Sequence, residues 1–219
     1  MTADQAAENP YDATEVWDKN KNSLYLLLGA IAIGVAGVSW YNDKNHEDEA
    51  ERSSKFIEAG IEQEAAEERF LSFSAEYDDT LGGVAKYRAA IIQYKDKRYE
   101  EAIKNFQGAI SQMGDDPLVG RASLALGVSQ IKAGQVEEGK ATLNGVAQNA
   151  NILLTDRREA RFHLGVQAIE EKDDQGFSGH LDALGADENA SAYHSRLMEL
   201  DKTRKLLSVA QSLPDLNRE

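Results

Sequence analysis

The chain has no cysteine. That excludes disulfides, thiol catalysis, cysteine-ligated zinc and lipid attachment through an N-terminal cysteine. Histidine is scarce: His46, His163, His180 and His194 are the four among 219 residues. None pairs with another at the H-x-x-x-H or H-E-x-x-H spacing that sets two ligands on one helical face. No metal and no other cofactor is expected. Proline is limited to Pro10, Pro117 and Pro214, and no alternation rich in valine or isoleucine marks a strand. Basic residues are outnumbered, with 24 Lys and Arg against 38 Asp and Glu and a formal net charge of −14. That balance argues against nucleic acid, whose phosphates it repels, and against broad adhesion to anionic lipid.

One long apolar run is present. LYLLLGAIAIGVAGVSW, Leu24 to Trp40, is seventeen residues without a charge, and Ser23 and Tyr41 extend it. At about 1.5 Å per residue it reaches roughly 25 Å, close to the thickness of a bilayer's hydrocarbon core. Tyr25 lies near one end and Trp40 and Tyr41 at the other, where amphipathic rings favour the membrane interface. A cleaved signal peptide begins basic and ends at small residues, whereas this run follows an acidic tail and ends in aromatics. A buried core helix is the other alternative, but nothing else in the chain is apolar enough to surround it. The run reads as an uncleaved transmembrane helix. Small residues recur along it at spacing four, Ala30 with Gly34 and Ala32 with Ala36; ordinary use of small residues in a span accounts for them as well as a helix-contact face. Lys19 and Lys21 precede the run, and Lys44, Arg52 and Lys55 follow it. The positive-inside count is nearly balanced, and the closer pair favours a cytoplasmic N-terminus.

The expected organisation is a short tail over 1–22, an anchor over 23–41, a linking and capping helix over 42–80, and helical repeats over 81–219 closed by a C-terminal helix. Residues 42–219 carry 22 basic and 33 acidic side chains, and their apolar positions recur at three and four, as on amphipathic helices. In Asn42–Tyr77 that pattern puts Phe56, Ile57, Ile61, Ala65, Phe70 and Phe73 on one buried side. Beyond it the sequence repeats itself. YRAAIIQYKDKRYEEAIKNFQGAI from Tyr87 aligns with SLALGVSQIKAGQVEEGKATLNGV from Ser123 and FHLGVQAIEEKDDQGFSGHLDAL from Phe162. Ala90, Gly127 and Gly165 fall in register, as do Ala102, Gly139 and Phe177; Phe106, Leu143 and Leu181; and Ala109, Val146 and Leu184. The turns Asp96-Lys97-Arg98, Ala133-Gly134-Gln135 and Glu171-Lys172-Asp173 align too. Each unit reads as a helical hairpin, with a small residue on the first helix where its partner crosses closely. A hairpin leaves an apolar face uncovered, so hairpins stack.

YEEAIKNFQGAI, Tyr99 to Ile110, resembles the second helix of a tetratricopeptide repeat, with its Y-x-x-A-x-x-x-F-x-x-A spacing. Leu126-Gly127 and Leu164-Gly165 resemble the L-G pair of the first helix. The match is degenerate: the steps are 37 and 38 residues, no tryptophan stands in the first helix, and Phe177 replaces a small residue. The order of parts, an acidic tail, EVWDKNKN, a span ending in WY, an acidic helix and about three repeats, is similar to one bacterial family. It comprises the inner-membrane tetratricopeptide-like proteins that serve as ancillary subunits of the Sec translocon and work with periplasmic chaperones. The resemblance implies an all-α fold, a single N-terminal transmembrane helix followed by a tetratricopeptide-like hairpin solenoid. It implies an inner-membrane anchor with a periplasmic adaptor domain, and as partners translocon subunits, chaperones or emerging chains. It brings no catalytic residues.

Two features test for chemistry. AGQVEEGKAT, Ala133 to Thr142, contains G-x-x-x-x-G-K, nearly a phosphate-binding loop. The hydroxyl position is Ala141, the preceding stretch has a helix pattern, and Glu137 and Glu138 would face the phosphates. The register makes it a hairpin turn, with Gly134 ending a helix in the left-handed conformation. Ser191, His194 and Ser195 lie close in sequence and read as a polar helix face. An adaptor is therefore favoured over an enzyme. The inner face of the first helices is the candidate docking surface. Its positions are Val84, Tyr87, Ile91, Tyr94 and Lys95, then Arg121, Leu124, Val128, Ile131 and Lys132, then Phe162, Val166 and Ile169. This apolar trough suits an extended or helical peptide with aromatic anchors. Filling of the trough by the chain's own N-terminal or C-terminal helices is the alternative.

Overall fold

In the computed structural model the described residues are 44, 48–61, 65–186 and 192–212, with side chains described as far as Leu206. The expected tail and apolar run, residues 1–41, lie outside them. Among the described residues there is no strand, and no helix is long and apolar enough to cross a membrane. The chain divides into two units, Met1–Lys55 and Phe56–Glu219. In the first, residues 48–55 are helical, with Lys55 3.3 Å from Glu51 one turn back.

The second unit is a stack of helices. It opens with helical residues 56–61 (α1) and continues with α2 (Ala66–Glu76), α3 (Thr80–Lys95), α4 (Tyr99–Met113), α5 (Leu118–Lys132), α6 (Val136–Gln148), α7 (Leu154–Glu171), α8 (Asp174–Gly185) and α9 (Ala192–Ser212). Consecutive helices pack on one another from α2 to α8, and α9 packs back on α7 and α8. The hairpins α3–α4, α5–α6 and α7–α8 match the three aligned segments.

The three hairpins share one turn. Lys97, Gly134 and Lys172 adopt positive φ, at 63°, 85° and 61°. Their N–H groups donate to the carbonyls of Tyr94, Ile131 and Ile169 at 3.0, 3.0 and 3.2 Å. The next residue's N–H donates to the carbonyls of Gln93, Gln130 and Ala168 at 2.9, 2.9 and 2.8 Å. This pair of bonds satisfies the last carbonyls of the first helix and reverses the chain within three residues. The second helix then starts with acids, Glu100 and Glu101 in α4, Glu137 and Glu138 in α6 and Asp174 in α8, where negative charge complements the helix dipole. Asp79 and Asp173 cap α3 and α8, accepting from the Gly82 and Gly176 N–H groups at 2.9 Å.

Each aligned column is largely buried. Phe106 and Leu143 have no exposed surface, and neither do Ala109 and Leu184. Gly127 and Gly139 face each other where α5 crosses α6: a Cβ on Gly139 would stand 2.7 Å from the Gly127 carbonyl oxygen, closer than atoms pack. The third hairpin departs from this. A Cβ on Gly165 would stand 2.5 Å from Cδ2 of Leu197 on α9, so Gly165 makes room for the C-terminal helix and not for α8. With Phe177 where Ala102 and Gly139 stand, α8 has no close backbone approach to offer.

The N-terminal end also differs from the periodicity. Phe70 and Phe73 are buried, and the Phe56 ring lies 5.6 Å from each. Ile57 and Ile61, placed on the buried side by their spacing, are instead 64% and 69% exposed. The buried stripe of α1 runs through Phe56 and Ala59, and Ile57 stands one residue off it, about 100° around the helix.

The turn makes a stability prediction. Left-handed backbone costs a side-chain-bearing residue about 1–2 kcal/mol, partly offset by the greater chain entropy glycine loses on folding. Lys97→Gly and Lys172→Gly are expected to stabilise the protein by about 0.5–1 kcal/mol each, and Gly134→Ala to destabilise it by about 1 kcal/mol. Urea denaturation checks all three, and a loss of stability in both lysine variants would contradict the turn.

Candidate functional site

The first helices of the hairpins are neighbours, α3 touching α5 and α5 touching α7. Along the line where they meet lies a cavity of about 380 Å³. Six of the expected residues line it: Tyr87, Ile91, Tyr94, Arg121, Leu124 and Val128. Ala125, Glu159 and His163 complete the wall. The last two come from α7 and were not among the expected residues. They were within reach, because one step of 38 from Arg121 lands on Glu159 and the same step from Ala125 lands on His163.

The remaining expected residues lie elsewhere. Phe162 is only 8% exposed and belongs to a cluster with Leu184 and Leu197. The Tyr193 ring stands 5.5 Å from it, and the Arg196 guanidinium sits over it, also at 5.5 Å. Val166 and Ile169 pack against the same cluster. The α7 portion of the trough is therefore covered by α9, and the part that remains open lies over α3, α5 and the first half of α7. Ile131 is half-buried beside Gly139 at the α5–α6 crossing. Val84 packs with Ala109, Met113 and Ala122. Lys132 is exposed at the end of α5. Lys95 lines a second cavity of about 640 Å³ with Phe56, Ile57, Ile61, Arg88 and Ile91, among others.

A charged network forms the floor beside α7. The Arg121 guanidinium lies 2.7 Å from Glu159 and 2.7 Å from Asp156, and the Tyr193 hydroxyl donates to Glu159 at 3.0 Å. Asp156 is 1% exposed. Its contact with Arg121 is electrostatic only, since neither carboxylate oxygen accepts a hydrogen bond. Burial pushes the Asp156 carboxyl above the usual range although Arg121 opposes it, and Glu159 adds to the rise. Burial holds His163 below its ordinary value; Glu159 acts against that, and Lys132 and Arg196 act with it. The phenols of Tyr87 and Tyr94 are raised by burial and so remain neutral. The site offers apolar surface, two phenol rings and one guanidinium, which is the chemistry of non-covalent binding.

The other candidate features resolve into structure. The near-phosphate loop begins in the hairpin turn and runs into α6. Lys140 is 2.8 Å from Glu171 of the next hairpin and 3.3 Å from Glu137, so it ties two repeats together. Ser191 lies outside the described residues, and Ser195 is exposed on α9. Among the described residues no group of His, Asp and Glu could hold a metal ion. A buried polar brace leaves little trace in the sequence. The Gln93 amide donates to Glu67 at 2.9 Å and accepts from Asn105 at 2.8 Å. One repeat later Thr142 donates to Gln130 at 2.7 Å. The 37-residue step from Gln93 to Gln130 and from Asn105 to Thr142 is its only sequence signal.

A family model described as a tetratricopeptide repeat-like domain matches residues 15–159. It takes in the apolar run Leu24–Trp40 and ends within α7. No curated protein and no solved structure matches the chain significantly.

Two predictions follow from the charged floor. Arg121→Met leaves Asp156 buried without its counter-charge. The loss is expected to be about 2 kcal/mol, below the ~3–5 kcal/mol of a fully buried pair, because the Arg121 side chain is 38% exposed. Asp156→Asn in that background should recover most of it, which paired denaturation curves measure. The second concerns acid. A histidine whose folded pKa lies below its ordinary 6.5 contributes stability above that value and loses it as the pH falls toward the folded pKa. The Tm is expected to drop from pH 7 to pH 5, and less steeply in His163→Gln. Asp156 acts with the opposite sign, since its raised carboxyl favours the folded state as it protonates. An equal slope in the two proteins would remove His163 from the account.

Proposed function

This chain belongs to the tetratricopeptide repeat-like domain family, and on that premise we propose that it is a membrane-anchored, non-enzymatic adaptor that docks proteins on the face made by α3, α5 and α7. Repeats of this kind serve protein–protein interaction and are in general non-catalytic. The observation that carries the reading is the cavity over these helices, where Tyr87, Ile91, Tyr94, Leu124 and Val128 stand beside Arg121. Aromatic and aliphatic side chains with one charged group make the kind of surface on which a few anchors supply most of the binding energy.

The finer reading places the protein in a bacterial inner membrane as a single-pass protein, N-terminus in the cytoplasm and repeat domain in the periplasm. Its partners are translocon subunits, periplasmic chaperones or emerging polypeptides. Support comes from the uncharged run Leu24–Trp40 and from a family match that starts at Glu15, ahead of that run. The order of tail, run and repeats supports it too. The anchor would act by raising the local concentration of the docking face beside a membrane complex. A scaffold for other envelope-assembly or cell-wall complexes differs from this only in its partner.

Mild-detergent isolation of the full chain carrying a photoreactive residue at position 94, followed by mass spectrometry, tests both levels. Crosslinks to translocon or chaperone subunits are expected. Crosslinks to cell-wall enzymes alone favour the scaffold. Capture of the chain's own helices alone sinks the docking face. A reporter fused after Glu219 reads the side of the membrane.

A further inference from the structure

Two of the three helices of the docking face, α3 and α5, differ in charge from the second helices of the hairpins; the third, α7, carries acids and bases in near balance. In a chain of net −14, α3 carries Lys86, Arg88 and Lys95, α5 carries Arg121 and Lys132, and neither helix has an acidic residue. The second helices α4, α6 and α8 are each net acidic. Arg121 is engaged by Asp156 and Glu159. Arg88, Lys95 and Lys132 are exposed and make no ion pair among the described residues. Attraction to the carbonyl end of a helix, about 0.3–1 kcal/mol, accounts for Lys95 and Lys132 in the last turns. It does not account for Arg88 in mid-helix, nor for the lack of any carboxylate along two helices.

The apolar part of the face also reaches further than the repeats. The cavity of about 640 Å³ is lined by Phe56, Ile57 and Ile61 of α1 and by Arg88 and Lys95 of α3. It shares Ile91 with the cavity over α3, α5 and α7. Ile57 and Ile61 are exposed large aliphatics one helical turn apart beside that shared wall. A helix that only closed the end of the stack would turn polar residues outward there.

We propose that the two adjoining cavities form one track for an acidic amphipathic segment of a partner protein, with two apolar anchors filling the cavities and carboxylates meeting Arg88, Lys95 and Lys132. This rests on the reading of the α3–α5–α7 face as the docking surface and does not depend on which protein brings the segment. Of the carboxylates beside the track, Glu159 is held by Arg121 and Tyr193, and Asp156 is buried. Asp96, next to Lys95, is paired with Arg98, and Glu58 of α1 is exposed beside Ile57. Against that one acid stand Arg88, Lys95 and Lys132, so the track favours an acidic ligand over a basic one. The first eighteen residues of this chain hold five acids, no base, and Tyr11 and Trp17. The proposed topology puts the membrane between them and the track, so they are an occupant only if that topology is wrong.

The test is fluorescence anisotropy with the full chain in mild detergent and two labelled synthetic peptides. The peptides share two leucine-rich anchors and differ only in whether glutamates or lysines separate them. The acidic peptide is expected to bind at least tenfold more tightly at low salt, with the preference shrinking as salt rises. Arg88→Glu with Lys95→Glu should abolish the preference, and the uncharged Ile57→Gln with Ile61→Gln should weaken the acidic peptide about tenfold. Arg88 and Lys95 are polar already, all four positions are exposed, and circular dichroism checks that each variant folds. Equal binding of the two peptides overturns the charge assignment, and unchanged affinity in the isoleucine variant removes α1 from the track. Acidic binding that emerges only on deleting residues 2–18 makes the chain's own tail the occupant, overturns a partner segment and counts against a topology that separates tail from track. Loss of translocon crosslinks with the peptide preference intact would count against the proposed partner and leave the track standing.

Discussion

A two-helix hairpin of this size cannot bury both of its apolar faces by itself. Everything in the second unit follows from that constraint. Each hairpin lends its outer face to the next, as when Leu126 of α5 joins Ala90, Ala102 and Phe106 in one cluster. The two ends then need covers of a different kind. At the start, α1 and α2 supply Phe56, Phe70 and Phe73. At the far end, α9 supplies Leu197, which has no exposed surface. The hydrogen-bonded turns at Lys97, Gly134 and Lys172 keep the geometry constant while the side chains between them vary.

Polar groups join the layers where apolar packing alone would let them slide. Glu67 holds Arg98 through paired contacts and also accepts from Gln93, and the Arg98 hydrogen bond keeps its carboxyl below the usual range. Lys140 joins the second hairpin to the third through Glu171. Arg121 joins α5 to α7 and, through Glu159 and Tyr193, to α9. These are directional contacts, so they select one stacking angle among those that apolar surfaces would accept. Arg121 and Glu159 also line the cavity over α3, α5 and α7, which ties the shape of the proposed docking face to the integrity of the stack.

The hairpins were legible in the sequence because their signal is repeated. A column such as Phe106, Leu143 and Leu181 fixes a register that no single segment could. The turn at Gly134 was legible for a chemical reason, since glycine adopts left-handed backbone without strain, while Lys97 and Lys172 reach the same conformation with nothing in their type to announce it. Tyr87, Ile91, Tyr94, Arg121, Leu124 and Val128 could be placed on one cavity because the register continues unbroken through α3 and α5. The ends were not legible. Which face of α7 stays open depends on α9, and no period connects the two. Ile57 and Ile61 satisfy a helical spacing, but which of two adjoining stripes packs inward depends on neighbours that the spacing does not name. Asp156 was hidden for another reason: an acid in the first turn of a helix is ordinary, and its burial arises only when Arg121 comes to lie over it.

The seat of Leu197 over Gly165 acts as a ruler. Because α9 occupies the position that a further first helix would take, no fourth hairpin can be added without lifting it, and the open face cannot lengthen past the middle of α7. The length of the proposed docking face is thereby set by a helix that lies beyond it.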